Sequence, residues 1–138
     1  MKVSKMRTVL LGLAISLLLA FPVAAADLAG SEWRPRQLGD AALPEDSGIY
    51  LRFESDGRLS GHTGCNSFFG SYRLEDSTTE LGPFGATHMA CEEPVMARET
   101  SFLNALAAAT TFERDGPQLT LRDETGNPLI HFVQTDWD

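Results

Sequence analysis

Short stretches in which apolar and polar residues alternate are the dominant pattern of this chain. The clearest one places Ile49, Leu51 and Phe53 on one side of an extended segment and more polar neighbours on the other. Such a period of two predicts a half-buried β-strand. Residues 55–57, Ser-Asp-Gly, are typical of a tight turn, so residues 58–63 are expected to return as the antiparallel partner strand.

The remaining extended segments are equally short and are separated by turn residues. They are predicted at residues 28–38, 70–75, 79–86, 110–114, 118–122 and 128–133, with a loop at 39–47 and a turn at 76–78. Pro35 predicts that the first segment lies at a sheet edge, because proline cannot donate a hydrogen bond to a neighbouring strand. The small Ser60 and Gly61 would let another backbone or a bulky ring come close.

One helix is predicted, at residues 94–108. Pro94 suits the first helical turn, where its missing N–H costs nothing. An apolar stripe at helical spacing would pack on the sheet. It consists of Val95, Phe102, Leu103 and Leu106. The fold class is therefore mainly β with one helix in the C-terminal half (α+β), as a strongly curved antiparallel sheet or a small β-barrel.

The first 26 residues differ from the rest of the chain. Three basic residues precede a mostly apolar run at 9–21, and three alanines follow just before Asp27. This order is that of a secretory signal peptide. The apolar run is too short for a comfortable membrane span, which needs about 20 residues. We expect cleavage of residues 1–26, export of a single domain at 27–138, and no stable membrane anchor afterwards.

Removal of that segment makes the chain strongly acidic. The segment contains three of the 11 Lys and Arg residues and none of the 19 Asp and Glu residues, which leaves eight cations, 19 anions and a formal charge of −11. All eight remaining cations are arginines. Such a surface repels phosphate backbones and anionic lipid, so we expect no nucleic-acid partner.

The two cysteines, Cys65 and Cys91, have more than one interpretation. Exported chains meet an oxidising compartment, where two cysteines most often pair. This disulfide would close a loop of about 27 residues and stabilise the fold by about 3–4 kcal/mol. Two free thiols are an alternative. A third interpretation is a zinc site, because His62 and His88 each lie three residues before a cysteine and the four side chains are of the types that bind zinc tetrahedrally.

The polar residues near the cysteines do not form an acid, base and nucleophile set. We therefore expect no enzymatic activity and no cofactor. Asn66 is interpreted as structural, because asparagine at a corner tolerates a left-handed backbone and bonds its own backbone. Phe68, Phe69, Tyr72 and Phe84 are expected to cluster near that corner as core residues. If two of them are exposed, they are candidates for binding a partner or an apolar ligand.

Several of these residues carry a family resemblance. They are Gly64-Cys65-Asn66, Gly70, Tyr72, Thr87-x-Met89-Ala90-Cys91, Glu99, Phe102 and Leu106, with the closing segments 119–121 and 129–132. Together they resemble the META domain of HslJ-like heat-shock proteins, over about residues 28–132. The resemblance implies a lipocalin-like antiparallel fold with a helix and a bacterial envelope protein linked to stress, secretion or drug tolerance. It implies no established enzymatic activity.

Three functions are compatible with these features. The first is an exported, non-enzymatic periplasmic domain that binds or stabilises envelope components, with an envelope protein as its partner. The second is a carrier of a small apolar ligand, held in the interior or at the mouth of the curved sheet. The third is a metal-binding or thiol-redox protein that uses His62, Cys65, His88 and Cys91.

Overall fold

The computed structural model describes residue 12, residues 14–18 and residues 28–135. Almost all of the predicted signal peptide lies outside the described residues, and its cleavage stays a prediction. The described part contains ten strands and one helix. They are β1 (Glu32–Leu38), β2 (Ala41–Ala42), β3 (Ile49–Phe53), β4 (Arg58–Thr63), β5 (Ser67–Glu75), β6 (Thr78–Leu81), β7 (Gly85–Ala86), α1 (Glu93–Ala108), β8 (Thr111–Asp115), β9 (Gln118–Arg122) and β10 (Pro128–Gln134).

The strands form an antiparallel sheet that closes on itself. Eight strands follow the order β1-β3-β4-β5-β6-β8-β9-β10, and β10 pairs with β1 to close the barrel. The short β2 pairs with the end of β1, and β7 pairs with the start of β5. Closure leaves most strands with two partners, which removes exposed sheet edges. The predicted fold class, a small α+β barrel, is confirmed.

The barrel interior is filled by large apolar side chains. The largest fully buried ones are Trp33, Phe53, Phe68, Phe102, Phe132, Leu28, Ile49, Leu51, Leu59, Leu106, Leu119 and Leu121. Helix α1 packs against β1, β4, β6 and β10, strands from different sides of the barrel, and so covers one of its ends. Phe102 of α1 contacts the rings of Phe68 and Phe132 edge to face, at centroid distances of 5.7 and 6.3 Å.

Most sequence predictions of elements are confirmed, with shifts at their ends. β5 begins at Ser67 rather than at residue 70, Thr78 lies in a strand rather than in a turn, and a two-residue strand occupies part of the predicted 39–47 loop. The predicted 79–86 segment is divided into β6 and β7 around Gly82 and Pro83. The small residues of β4 act as predicted: a Cβ on Gly61 would lie 2.6 Å from the Phe68 ring.

The prediction of a sheet edge at Pro35 is wrong. Pro35 is buried in β1, which pairs with β3 on one side and β10 on the other. The pairing with β10 shifts register between Pro35 and Gln37. A bulge is a position where a strand tolerates a residue without an N–H, so proline does not require an edge there. In the described part of the chain, no helix has both the length and the apolarity needed to cross a bilayer.

Candidate functional site

The site is built on the corner between β4 and β5, at the barrel end that the helix covers. Gly64 has a φ of +92°, which favours glycine, and a Cβ there would lie 3.1 Å from the Ser47 carbonyl oxygen. The Thr63 hydroxyl oxygen accepts hydrogen bonds from the N–H groups of Cys65 (3.3 Å) and Asn66 (2.9 Å). The Asn66 carbonyl in turn accepts from Thr63 N at 2.8 Å. These bonds fix the corner and direct Cys65 and Asn66 toward the helix.

A disulfide joins this corner to the segment that precedes the helix. Cys65 and Cys91 are bonded to each other, with their Cα atoms 6.1 Å apart. Both sulfurs are therefore occupied, and neither is the free thiolate that a zinc site or a nucleophile needs. The structure contains the predicted disulfide.

The histidines of the zinc alternative do not join the cysteines. His62 lies on β4, where its Nδ1 accepts a hydrogen bond from Gly64 N at 3.0 Å and its ring stacks near Tyr50. His88 is exposed in the segment before the helix. Among the described residues, no three His, Cys, Asp or Glu side chains are grouped so as to hold a metal ion. The interpretation as a four-ligand zinc site is contradicted because its two thiols form the disulfide instead.

Asn66 clamps the segment of residues 87–89 through its side-chain amide. Its Oδ1 accepts hydrogen bonds from Met89 N at 2.7 Å and from the Thr87 hydroxyl at 2.9 Å. Its Nδ2 donates to the Met89 carbonyl at 3.2 Å and to Glu99 Oε1 at 2.9 Å. Asn66 is only 1% exposed, so these bonds satisfy an amide that would be costly to bury alone. We call this arrangement the Asn66 clamp.

Glu99 connects the clamp to the helix. It is 8% exposed, and its Oε1 accepts hydrogen bonds from both the Thr63 hydroxyl (2.7 Å) and Asn66 Nδ2. Neither donor is charged, so the carboxylate has no cationic partner among the described residues. The sequence analysis named Glu99 only as a motif residue and did not identify Thr63. The position of Thr63 directly before the Gly64-Cys65-Asn66 motif is the feature that could have identified it.

A cleft of about 390 Å³ opens beside the Asn66 clamp. We call it the Met89 cleft; it is lined by Asn66, Ala86, Thr87, His88, Met89, Ala90, Met96, Glu99 and Leu103. Met89 is 62% exposed, although its backbone is held by Asn66. A second cleft, of about 380 Å³, lies elsewhere, between the end of β1 and the start of β10.

The aromatic candidates divide between core and surface. Phe68 is buried and contacts Phe84 edge to face at 6.0 Å. Phe69 is 59% exposed on the opposite face of β5, over Gly85. Gly70 leaves room for the Phe84 ring, since a Cβ there would lie 2.9 Å from it. The Tyr72 hydroxyl donates to the Glu54 carbonyl at 2.6 Å. Only Phe69 among them offers an exposed apolar surface, so they do not form the exposed patch that would mark a binding site.

A clear electrostatic perturbation occurs away from this site, in the turn between β9 and β10. The hydrogen bond from the Thr125 hydroxyl, at 2.7 Å, is the main reason why the pKa of the Asp123 carboxyl lies below its usual value. The backbone N–H groups of Thr125 and Asn127 also donate to Asp123. The hydrogen bonds to Asp123 fix the conformation of this turn.

Fold and site together define a small closed β-barrel in which a disulfide ties the segment before the helix, and a buried polar cluster ties the helix, to one strand corner. The family model for the META domain matches residues 26–136 of the chain. The chain therefore belongs to the META domain family, as the resemblance of its motifs indicated.

Solved structures have the same fold. The chain is similar to an NMR structure of a protein from Burkholderia xenovorans, with 30% identity, a TM-score of 0.63, and coverage of 79% of this chain and 84% of that one. It is also similar in fold to a crystal structure of a DUF4847 family protein from Bacteroides vulgatus, with 19% identity, a TM-score of 0.62, and coverage of 77% and 93%. No curated protein sequence matches the chain.

Proposed function

We propose that the chain is an exported, non-enzymatic domain of the bacterial envelope that binds another envelope component through the Met89 cleft. The observation that supports this proposal most directly is that Met89 has a fixed backbone and an exposed side chain. Asn66 holds both its N–H and its carbonyl, while its side chain stays largely in solvent. Because the backbone is already fixed, binding has to order only the side chain, and the flexible thioether of methionine can adapt to the shape of a partner.

The polar groups around the cleft are used to hold structure. The Asn66 amide, the Thr63 hydroxyl and Glu99 Oε1 are bonded to one another, and both cysteines are in the disulfide. This arrangement supports a binding role rather than chemical turnover, because a nucleophile needs a free and activated group. The resemblance of the motifs to HslJ-like heat-shock proteins supports a role under envelope stress, in drug tolerance or in secretion.

Site-directed photo-crosslinking in living cells tests this proposal. A photoreactive residue at position 89 is expected to give a discrete adduct with one envelope component. The matched control carries it at Glu80, which is exposed on β6 and lies outside the cleft. Adducts at both positions, or at neither, would contradict a partner at the cleft. Recovery of unprocessed chain from the cytoplasm, rather than periplasmic chain beginning at Asp27, would contradict export.

The apolar-ligand carrier receives less support from the barrel. Its interior is occupied by Trp33 and by the other buried aromatic and aliphatic side chains of the strands and the helix. A filled interior leaves a carrier only the surface clefts. The thiol-redox alternative would require the disulfide to open during function, and the cleft-based proposal does not need that step.

A further inference from the structure

The floor of the Met89 cleft contains a carboxylate with one oxygen in use. Glu99 Oε1 accepts two hydrogen bonds, whereas within the described residues no donor contacts Oε2. Among the described residues, Thr79 Oγ1 is the side-chain oxygen that is fully buried and has no hydrogen-bond partner. Glu99 Oε2 also has no partner but is not fully buried, so it keeps some contact with solvent. Glu99 is one of the residues that line the cleft. Glu99 is nine-tenths buried and has no cationic partner among the described residues, so a positive group bound there would compensate its charge.

Apolar side chains make up about half of the cleft lining. Met89, Met96 and Leu103 line it together with two alanines, and Thr87 and His88 are the polar residues of the same lining besides Asn66 and Glu99. An apolar wall over a buried charge matches a side chain with an aliphatic stem and a charged end. A volume of about 390 Å³ leaves room for such a side chain and part of its backbone.

We propose that the Met89 cleft binds a lysine side chain of a partner protein, with its ammonium group on Glu99 Oε2 and its stem against Met89 and Leu103. This inference rests on the proposed function and specifies its ligand. An ammonium is a compact point donor that needs only one acceptor oxygen, whereas a guanidinium is best matched by both oxygens of a carboxylate. The two hydrogen bonds that Oε1 already accepts therefore favour lysine over arginine.

The charge of the chain agrees with this assignment. The exported part has 19 acidic and eight basic residues, so it attracts a basic partner. It contains no lysine, and a second copy of the same domain cannot supply the side chain. The nearest basic residue along the helix, Arg98, lies about 160° around the helix from Met96 at 100° per residue, away from the cleft wall.

A titration of the full exported domain with short peptides, followed by two-dimensional amide NMR, tests the proposal. The probe is acetyl-Ala-Ala-Lys-Ala-Ala-amide, and the matched probes replace lysine by norleucine, which lacks the ammonium, or by arginine. We expect the lysine peptide to shift the Met89 and Ala90 amides and the Asn66 side-chain amide. It should bind about tenfold more tightly than the norleucine peptide, because only the lysine peptide adds a hydrogen bond between two charged groups. Equal binding of lysine and norleucine peptides, or tighter binding of the arginine peptide, would overturn the proposal.

The variant Glu99→Gln isolates the carboxylate. Glutamine can keep its carbonyl oxygen toward Thr63 and Asn66 and turns an N–H₂ donor toward the cleft, so the preference for lysine over norleucine should disappear. Glu80→Gln removes one charge on the exposed face of β6 and should keep that preference. If Glu99→Gln unfolds, Met89→Ala gives a second reading: it should weaken both peptides and preserve their ratio, and loss of that ratio would contradict the assigned roles.

Two further results separate this inference from the proposed function. Butylammonium should bind more weakly than the lysine peptide; equal or tighter binding would identify a small amine as the ligand and overturn the partner-lysine proposal. A crosslinked partner at position 89 combined with no lysine preference would refute the ligand and leave the proposed function standing. Loss of both the adduct and the preference would refute both.

Discussion

At the scale of single residues, the site depends on polar groups that are buried only because every one has a partner. Asn66 is the clearest example, since its amide makes hydrogen bonds to Thr87, Met89 and Glu99 and a further contact with the Cys65 sulfur. An asparagine can do this because its amide carries two donors and an oxygen with two lone pairs. The sequence identified Asn66 as a structural corner residue but not as the holder of a distant segment, because that segment arrives through tertiary structure.

Two buried threonines provide a matched test of that dependence. Thr63→Val removes a hydroxyl that bonds Glu99, Cys65 N and Asn66 N, and should lower the free energy of unfolding by about 2–3 kcal/mol because buried polar groups lose their partner. Thr79→Val removes a buried hydroxyl oxygen that has no partner, and should raise it by about 1 kcal/mol. Urea unfolding of both variants measures the two values. Changes of equal sign and size would show that hydrogen bonding does not control stability at these sites.

At the scale of elements, the segment before the helix has no regular secondary structure and yet has a defined position. Two connections to the β4–β5 corner hold it, the Asn66 clamp near its start and the disulfide at Cys91. Helix α1 begins two residues later and carries Glu99 back to the same corner. The corner, the segment and the helix therefore behave as one unit, which fixes the position of Met89 relative to Glu99 in the Met89 cleft.

Reduction of the disulfide should weaken this unit and the whole fold. The loop between Cys65 and Cys91 predicts a loss of about 3–4 kcal/mol when the bond is broken, on the chain-entropy account. The double variant Cys65→Ser/Cys91→Ser should show the same loss and should not respond further to reductant. Thermal unfolding with and without reductant measures both proteins. A wild-type midpoint that is unchanged by full reduction, verified by intact mass, would show that the disulfide is not a brace.

At the scale of the whole molecule, the sequence predicted the strands and the helix because their patterns are local. The alternation at Ile49, Leu51 and Phe53 describes a face that the structure buries. The helical stripe is buried at Phe102 and Leu106, whereas its other two members, Val95 and Leu103, are half-buried. Closure of the barrel depends on β1 meeting β10, almost a hundred residues away, and no local pattern specifies that pairing. The prediction of a sheet edge at Pro35 is wrong for the same reason. The bulge lies in the pairing of β1 with β10, which the local sequence does not reveal, and it removes the need for a backbone N–H at Pro35. The cleft has a similar origin, since its lining comes from three separate parts of the chain.

The closed barrel is not equally strong around its circumference. β1 and β10 pair through five residues, whereas β6 and β8 pair only through Thr78 and Thr111, with two flanking backbone hydrogen bonds of 2.9 Å. Local opening requires the least free energy where the fewest hydrogen bonds are broken, so we expect the barrel to open first at this seam.

Native-state hydrogen exchange should show faster exchange at Thr79 and Phe112, which donate across the seam, than at residues 50–53 and 59–62 in the continuous β3–β4 ladder. The seam adjoins the end of helix α1. If the disulfide stabilises the helix, the rate of amide exchange at the seam should increase further when the disulfide is reduced. Slower exchange at the seam than between β1 and β10 would mean that helix packing, rather than the number of ladder bonds, decides where the barrel opens.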